Sequence, residues 1–255
     1  MTPEDRKKFA ARALPLVDLT DLNEGCNHDD IDRLCKRAQT PHGNVAAICI
    51  WPRYVAYAHK QLNRNGIPIA TVVNFPGGNQ SVDMTVAETR AAIADGAAEI
   101  DLVMPYAAFR DGESEQAKEM IESIRRVCVN DVLLKVILET GELKKPELIG
   151  SASALAIAAG ADFIKTSTGK VSVNATLTSA EIMLSVIADR HCNVGIKPAG
   201  GIKTTEDCAD YLALADRLLG EDWVSPKTFR FGASSVLDDL LAALDGREGG
   251  SGEGY

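Results

Sequence analysis

Short runs of β-branched and apolar residues recur along the chain at a nearly constant interval. Successive runs begin about 25 to 35 residues apart, which is the length of one strand–helix unit of a parallel sheet. The eight runs predicted to be strands are VDLT (17–20), AAICI (46–50), IATVVN (69–74), EIDLVM (99–104), VLLKVILE (132–139), DFIKTS (162–167), NVGIKP (193–198) and FRFGAS (229–234).

Helical patterns lie between these runs. Residues 84–95 read MTVAETRAAIAD and are followed by Gly96, a residue type that commonly ends helices. The stretches 148–159 and 205–219 likewise run up to a glycine. Eight alternating units in a chain of this length predict an α/β fold, a single (β/α)8 TIM barrel. A doubly wound open sheet is the structural alternative, but it usually has fewer strands, and no G-x-G-x-x-G follows the first strand.

The chain shows no internal linker or low-complexity segment before its last residues. We therefore predict one barrel domain over residues 1–245. Residues 246–255 carry five glycines and little apolar surface, and are predicted to form a flexible tail that ends in Tyr255.

Five charged residues fall on the predicted inner face of the barrel. In a barrel strand, alternate residues face the surrounding helices and the interior. Apolar positions occupy the outer face of strands four to seven, which leaves the inner face to Asp101, Lys135, Glu139, Lys165 and Lys197. Clustered cations depress one another's pKa, and a neutral amine can attack a carbonyl. The cluster indicates a nucleophilic lysine without deciding which one, and a purely structural ion network is the alternative.

Glycine-rich segments follow the seventh and eighth predicted strands. They read PAGG (198–201) and FGASS (231–235), and each leads into a helix start. Glycines let the backbone approach an anion closely, and amide groups at a helix start point at it. Because phosphate sites of TIM barrels commonly lie after these two strands, we predict a phosphate site here. Ordinary glycine-rich turns are the alternative.

Composition and charge narrow the classes of partner. A net charge of −9 argues against a nucleic-acid binder or a protein that binds anionic membranes. The N-terminus lacks the apolar core of a signal peptide, and the six cysteines form no C-x-x-C pair, so we expect a reduced, cytoplasmic protein. The four histidines show no H-E-x-x-H spacing, and no metal site is predicted.

With these features in place, the sequence resembles the deoxyribose-phosphate aldolase family of class I (Schiff-base) aldolases over essentially its whole length. The stretches that carry the resemblance are VDLTDLN, GNVAAICIWPR, VVNFPGGN, AETRAAIADGAAEIDLVMPY, LLKVILETGEL, DFIKTSTGK, IKPAGGIK and RFGASS. The resemblance implies reversible cleavage of 2-deoxy-D-ribose 5-phosphate to D-glyceraldehyde 3-phosphate and acetaldehyde, in deoxyribose phosphate catabolism. It implies a lysine Schiff base, small-molecule phosphosugar and aldehyde partners, and no cofactor. The oligomeric state is not specified by the sequence; a homodimer is our expectation.

The resemblance also implies roles for individual residues. Lys165 in DFIKTSTGK would form the Schiff base, Lys197 in IKPAGG would lower the pKa of Lys165, and Asp101 in EIDLVMPY would belong to the proton relay. Tyr255 is similar to a terminal tyrosine whose phenol helps to move the C2 proton. The positions implied to bind phosphate are Gly169, Lys170, Gly200, Gly201, Gly232, Ser234 and Ser235.

Four further residues are implied to bind the substrate or to support it. Asp18 would contact substrate hydroxyls or orient a lysine, and Lys135 would belong to the interior network with a less direct role. Cys49 matches a cysteine that lines the site, although a plain buried cysteine is the interpretation we favour. With Thr20, these positions would distinguish a 2-deoxy sugar from the substrates of related enzymes.

The sequence departs from the family pattern at a few positions, and two other functions are alternatives. Gly77-Gly78 stands where a histidine often occurs, and Lys203 stands where arginine is common. The alternative enzyme is another Schiff-base aldolase or transaldolase that acts on a related phosphosugar. A non-catalytic phosphosugar-binding protein would be expected to lack one of the catalytic residues at 101, 165 and 197, and all three are present.

Overall fold

The computed structural model describes residues 1–62, 65–129, 131–190 and 192–247. Eight strands lie in one sheet. They are β1 (Val17–Asp21), β2 (Ala47–Ile50), β3 (Ile69–Val73), β4 (Glu99–Val103), β5 (Leu133–Ile137), β6 (Phe163–Lys165), β7 (Gly195–Lys197) and β8 (Phe231–Ala233).

All strand pairs of this sheet are parallel, in the order β8-β1-β2-β3-β4-β5-β6-β7. Parallel bridges Ile196↔Phe229 and Ala199↔Gly232 connect the two remaining edges and close the sheet. The prediction of a (β/α)8 barrel is therefore confirmed.

Helices surround the barrel and connect its strands. They are α1 (Pro3–Ala13), α2 (His28–Arg37), α3 (Val55–Leu62), α4 (Val82–Ala94), α5 (Tyr106–Arg110), α6 (Ser114–Val127), α7 (Thr140–Leu143), α8 (Pro146–Ala158), α9 (Leu177–Arg190), α10 (Thr205–Leu219) and α11 (Val236–Leu244). Helix α1 precedes the first strand and was not predicted. Its N-terminus carries a capping box in which Thr2 and Asp5 satisfy each other's backbone amides.

Each predicted run contains a strand, but several strands are shorter than the runs. The run 162–167 contributes only three residues to β6. The next residue, Thr166, still donates its backbone N–H to Lys197 O at 3.1 Å. The extended pattern therefore continues past the ladder, and its last residues build the loops at the C-terminal end of the barrel.

Apolar side chains fill two separate regions on the two sides of the sheet. The larger core lies between strands and helices and includes Ile48, Ile100 and Ile164. Inside the barrel, a small cluster of Leu22, Cys49, Ala70 and Val72 lies apart from it. Strands buried on both faces explain the nearly continuous apolar runs of the sequence.

Two further observations concern membrane-spanning helices and disulfides. None of the helices in the described ranges has both the length and the apolar character needed to cross a membrane. All six cysteines are free.

Candidate active site

Seven charged side chains contact one another inside the barrel, and each is at most 5% exposed. This interior charge network consists of Asp18, Glu99, Asp101, Lys135, Lys165, Lys197 and Arg230. Buried charges are tolerated when they are paired. Since the network has four basic and three acidic members, it is electrically neutral when one base has lost its proton.

Asp101 connects the three interior lysines. Its Oδ2 lies 2.7 Å from both Lys165 Nζ and Lys197 Nζ, and its Oδ1 lies 3.0 Å from Lys135 Nζ. The strand register explains the arrangement, because Asp101 pairs with Lys135 across β4 and β5, and Lys165 pairs with Lys197 across β6 and β7. Of the five residues predicted for the inner face, Lys135, Lys165 and Lys197 are thus brought together around the carboxylate of Asp101. The fifth, Glu139, contacts Thr168 instead.

Lys165 differs from the other interior lysines in its carboxylate partners. Among the described residues, its Nζ contacts the carboxylate of Asp101 only. Lys197 Nζ lies in addition 2.6 Å from Asp18 Oδ2, and Lys135 also has more than one carboxylate partner. Lys165 is therefore the least compensated of the three cations.

Because of this difference in pairing, the pKa of Lys165 is lowered and those of Lys135 and Lys197 are raised. Burial lowers the pKa of Lys165, and the charge of Lys197 lowers it further, and together they outweigh the opposing effect of the Asp101 carboxylate. Burial also acts to lower the pKa of Lys197, but the carboxylates of Asp101 and Asp18 outweigh it and hold that pKa above its usual value. The pKa of Lys135 is raised by its carboxylate partners in the same way. Lys165 is the interior lysine that gives up its proton most readily.

Asp101 and Asp18 stay ionised for the complementary reason. Burial acts to raise the pKa of Asp101, but the charges of Lys135, Lys165 and Lys197 outweigh burial and hold it well below the usual value. Asp18 behaves likewise: burial opposes ionisation, and its cationic neighbours still lower its pKa.

Glu99 and Arg230 complete the network and were not predicted. Arg230 Nη1 lies 2.6 Å from Asp18 Oδ1, and its Nη2 lies 3.0 Å from Glu99 Oε1. Glu99 also contacts Lys135. Residue 99 has the same strand parity as Asp101, so alternation could have located it. Arg230 lies 212 positions from Asp18 in the chain, and no local pattern joins them.

A cleft of about 700 Å³, including its open mouth, lies at the C-terminal ends of β1, β6, β7 and β8. The predicted residues that line it are Thr20, Lys165, Gly169, Lys170, Gly200, Gly201, Gly232, Ser234 and Ser235. Every position predicted to bind phosphate thus borders the same cavity as Lys165. Thr168, Asn174 and Lys203 also line the cleft and were not predicted to do so.

The glycine-rich loops need glycine for conformation and for space. Gly200 and Gly201 have φ of 81° and 84°, in the left-handed region that side chains disfavour. A Cβ at Gly232 would lie 2.7 Å from Ala199 Cβ. The chain then enters α11 directly after Ser235, whose hydroxyl makes no capping hydrogen bond. Backbone amides at such a helix start favour an anion.

The predicted substrate residues do not all reach the cleft. Thr20 lines it and donates its hydroxyl to Asp18 O at 2.8 Å. Asp18, Cys49 and Lys135 are fully buried in the barrel interior and are not among the lining residues. Burial raises the pKa of the Cys49 thiol, whose Sγ lies 4.0 Å from a carboxylate oxygen of the network. Tyr255 lies outside the described residues.

Comparison with known proteins identifies relatives over nearly the whole chain. Residues 12–240 match the model of the DeoC/LacD family aldolases. The chain is 57% identical over 243 residues to the deoxyribose-phosphate aldolase of Agrobacterium fabrum strain C58. That match covers 95% of this chain and 94% of the relative.

Solved structures show the same barrel. A Toxoplasma gondii ME49 protein, provisionally described as a deoxyribose-phosphate aldolase, superposes with a TM-score of 0.88 at 22% identity over 96% of this chain and 97% of its own. The tetrameric deoxyribose phosphate aldolase of Aeropyrum pernix gives a TM-score of 0.73 at 20% identity over 93% and 91%. At these sequence identities, the structural similarity supports the fold and nothing further. By the family match and the Agrobacterium relative, the chain belongs to the DeoC/LacD aldolase family.

Proposed function

We propose that this aldolase cleaves 2-deoxy-D-ribose 5-phosphate reversibly to D-glyceraldehyde 3-phosphate and acetaldehyde through a Schiff base on Lys165. One observation carries the proposal. Lys165 is the interior lysine with a lowered pKa, and it lines the same cleft as the two glycine-rich loops. A nucleophilic amine and a seat for an anion therefore share one cavity, as cleavage of a phosphorylated aldehyde requires.

The reaction begins at the Lys165 amine. Its nitrogen lone pair attacks C1 of the open-chain sugar, and the carbonyl oxygen takes up a proton to give a carbinolamine. Lys197 and Lys165 both contact Asp101 Oδ2 at 2.7 Å, so a proton can pass along this short path from Lys197 to the departing hydroxyl. Loss of water then leaves an iminium ion between Lys165 and C1.

The iminium ion makes cleavage of the carbon–carbon bond possible. The C3 hydroxyl loses its proton, the C2–C3 bond breaks, and its electron pair moves into an enamine whose nitrogen is that of Lys165. Glyceraldehyde 3-phosphate leaves. Protonation of the enamine at C2 and hydrolysis of the resulting iminium release acetaldehyde and the free amine.

The interior wall beside Asp101 supports a 2-deoxy substrate. Cys49, Ala70 and Val72 form an apolar cluster there with Leu22. Cys49 is the member next to Asp101, at 4.0 Å from its Oδ2. Leu22 is the member of this cluster that lines the cleft, and a C2 hydroxyl directed at its apolar side chain would lose its hydration without gaining a hydrogen bond from it, which disfavours substrates that carry one.

A negative charge placed at the loop after β8 tests the phosphate seat. Ser235→Asp puts a carboxylate beside the proposed phosphate, and we expect it to weaken binding of deoxyribose 5-phosphate by about 1–3 kcal/mol. Steady-state kinetics on unphosphorylated deoxyribose should change little. Ser151→Asp, on the exposed side of α8, is the matched control. Equal losses on both sugars would place the phosphate elsewhere.

Tyr255 remains a proposal that rests on the family resemblance. Its phenol would move the proton at C2 of the enamine. Tyr255→Phe should slow exchange of the methyl protons of acetaldehyde in D₂O, followed by NMR, while Schiff-base trapping at Lys165 is retained. Exchange at the wild-type rate would exclude the phenol from this step.

The expected assembly and compartment belong to the same proposal. We propose a homodimer in the cytoplasm, from the sequence expectations. The Aeropyrum pernix enzyme is described as a tetramer. Analytical ultracentrifugation of the purified chain separates the two assemblies by mass.

The direct test of the function is product analysis. The purified chain should convert deoxyribose 5-phosphate into equal amounts of acetaldehyde and glyceraldehyde 3-phosphate, measured by coupled dehydrogenase assays. EDTA should leave the rate unchanged, because the iminium supplies the polarisation that a metal would supply in a class II aldolase. Lys165→Met should form neither product. Cleavage by this variant would contradict the proposal.

A further inference from the structure

Glu139 is a buried acid at the C-terminal end of β5 that the mechanism above does not use. It is fully buried, directly precedes α7, and has a left-handed backbone with φ of 56°. Within the described ranges its carboxylate forms no ion pair, and burial raises its pKa despite hydrogen bonds from Thr168. Residues with a strained backbone cluster at functional sites, so a buried acid with such a backbone is a candidate for a functional role.

The Glu139 carboxylate contacts the loop after β6. Its Oε2 accepts the Thr168 hydroxyl at 2.5 Å, and both of its oxygens lie 3.3 Å from Thr168 N. Thr168 Oγ1 in turn accepts the Lys170 N–H at 3.0 Å. One carboxylate thus orients the backbone of residues 168–170, all three of which line the cleft.

The residues next to Glu139 hold the same loop at two more points. Thr140 donates its backbone N–H to Thr166 O at 2.9 Å. Gly141 packs so closely against the loop that a Cβ there would lie 1.9 Å from Val173 O. The segment after β5 therefore contacts the loop after β6 before, at and after residues 168–170.

We propose that Glu139 is a positioning residue that holds residues 168–170 in the conformation that accepts the substrate phosphate. The loop needs such support, because Gly169 lies at its centre with φ of 83° and has open space around its Cα. A glycine there leaves the chain free to adopt other conformations, and binding an anion would then cost the free energy of ordering it. This inference rests on the proposed function, since it concerns the phosphate of the proposed substrate.

Glu139 is not placed to act on the reacting atoms. It is not among the residues that line the cleft, and the carboxylate that contacts Lys165 Nζ belongs to Asp101. Its effect should therefore reach the substrate through Thr168. That indirect route predicts a change in KM for the phosphorylated sugar with little change in kcat.

The test compares phosphorylated and unphosphorylated deoxyribose in four forms of the full chain. Glu139→Ala should raise KM for deoxyribose 5-phosphate about tenfold, while kcat/KM for deoxyribose stays within about twofold of wild type. Glu139→Gln keeps an acceptor oxygen at the same distance from the backbone, so its KM for deoxyribose 5-phosphate should be close to that of wild type. Glu142→Gln changes a partly exposed acid of the same segment that pairs with Arg110, and should match wild type.

A double-mutant cycle shows whether Glu139 acts through Thr168. Thr168→Val removes the hydroxyl and should reproduce part of the increase in KM, and adding Glu139→Ala should then cost less than it does in wild type. Equal losses on both sugars, a shifted pH–rate profile on unphosphorylated deoxyribose, or full additivity would overturn the inference. If the wild-type chain itself shows no preference for the phosphorylated sugar, the proposed function fails instead.

Discussion

Replacing Lys197 by methionine should lower kcat by about 10²–10⁴-fold and move the acidic limb of the pH–rate profile to higher pH. The change removes a buried positive charge that shares Asp101 Oδ2 with Lys165. That charge lowers the pKa of Lys165, so its removal raises this pKa and reduces the neutral amine present at a given pH. The proton that Lys197 supplies to the carbinolamine is lost as well.

Steady-state kinetics on deoxyribose 5-phosphate from about pH 5 to 9 measure both effects. Methionine keeps the length and apolar stem of lysine, so the variant removes the ammonium group with little change in packing. Lys60→Met, at an exposed position of α3, should behave as wild type. A Lys197→Met enzyme with unchanged kcat and only a raised KM would mean that Lys197 contributes to binding rather than to ionisation.

Replacing Asp101 by asparagine should damage both stability and turnover, and should shift the acidic limb in the opposite direction. Lys165 loses its carboxylate contact, which opposes the lowering of its pKa, so the limb moves to lower pH. Turnover still falls by about 10²-fold or more, because the carboxylate that joins Lys165 to Lys197 is gone. The free energy of unfolding should drop by about 3–5 kcal/mol, since Lys165 loses its carboxylate partner and Lys135 and Lys197 each lose one of theirs.

The pH dependence of this stability loss has a definite sign. Because the folded-state pKa of Asp101 is depressed, its stabilisation is present above the unfolded value of about 3.9 and is lost as pH falls through the folded pKa. Urea unfolding at pH 7 and pH 5 should therefore give the same difference between wild type and Asp101→Asn. Asp210→Asn, at an exposed position of α10, is the control. A limb that moves upward, or an unchanged free energy of unfolding, would contradict the role given to this carboxylate.

The barrel and its charged interior were predictable because both follow from local periodicity. Spacing revealed eight strand–helix units, and alternation along each strand separated Lys165 from Ile164, which lies in the outer core. What alternation could not supply was the difference between the lysines. That difference depends on the contact between Lys197 and Asp18, two residues on strands that are far apart in sequence.

Strand ends and loop supports were less accessible for a physical reason. An extended, β-favouring pattern such as 162–167 does not reveal where ladder hydrogen bonds stop, and β6 ends at Lys165. The cleft glycines after β7 and β8 were predictable, because the segments that contain them are rich in glycine. Alternation placed Glu139 on the inner face, but its hydrogen bond with Thr168 was not predicted, because that bond spans 29 residues and depends on how two loops meet. The role of Arg230 was not predicted for the same reason, since its partners Asp18 and Glu99 lie on β1 and β4.

Borohydride trapping identifies the lysine that carries the Schiff base, which we propose to be Lys165. The chain is incubated with deoxyribose 5-phosphate or acetaldehyde, reduced with borohydride, digested and mapped by mass spectrometry. We expect the adduct on the peptide that contains DFIKTSTGK, at Lys165, and no adduct there in Lys165→Met. An adduct on Lys135 or Lys197, with Lys165 unmodified, would contradict the assignment of the Schiff base to Lys165.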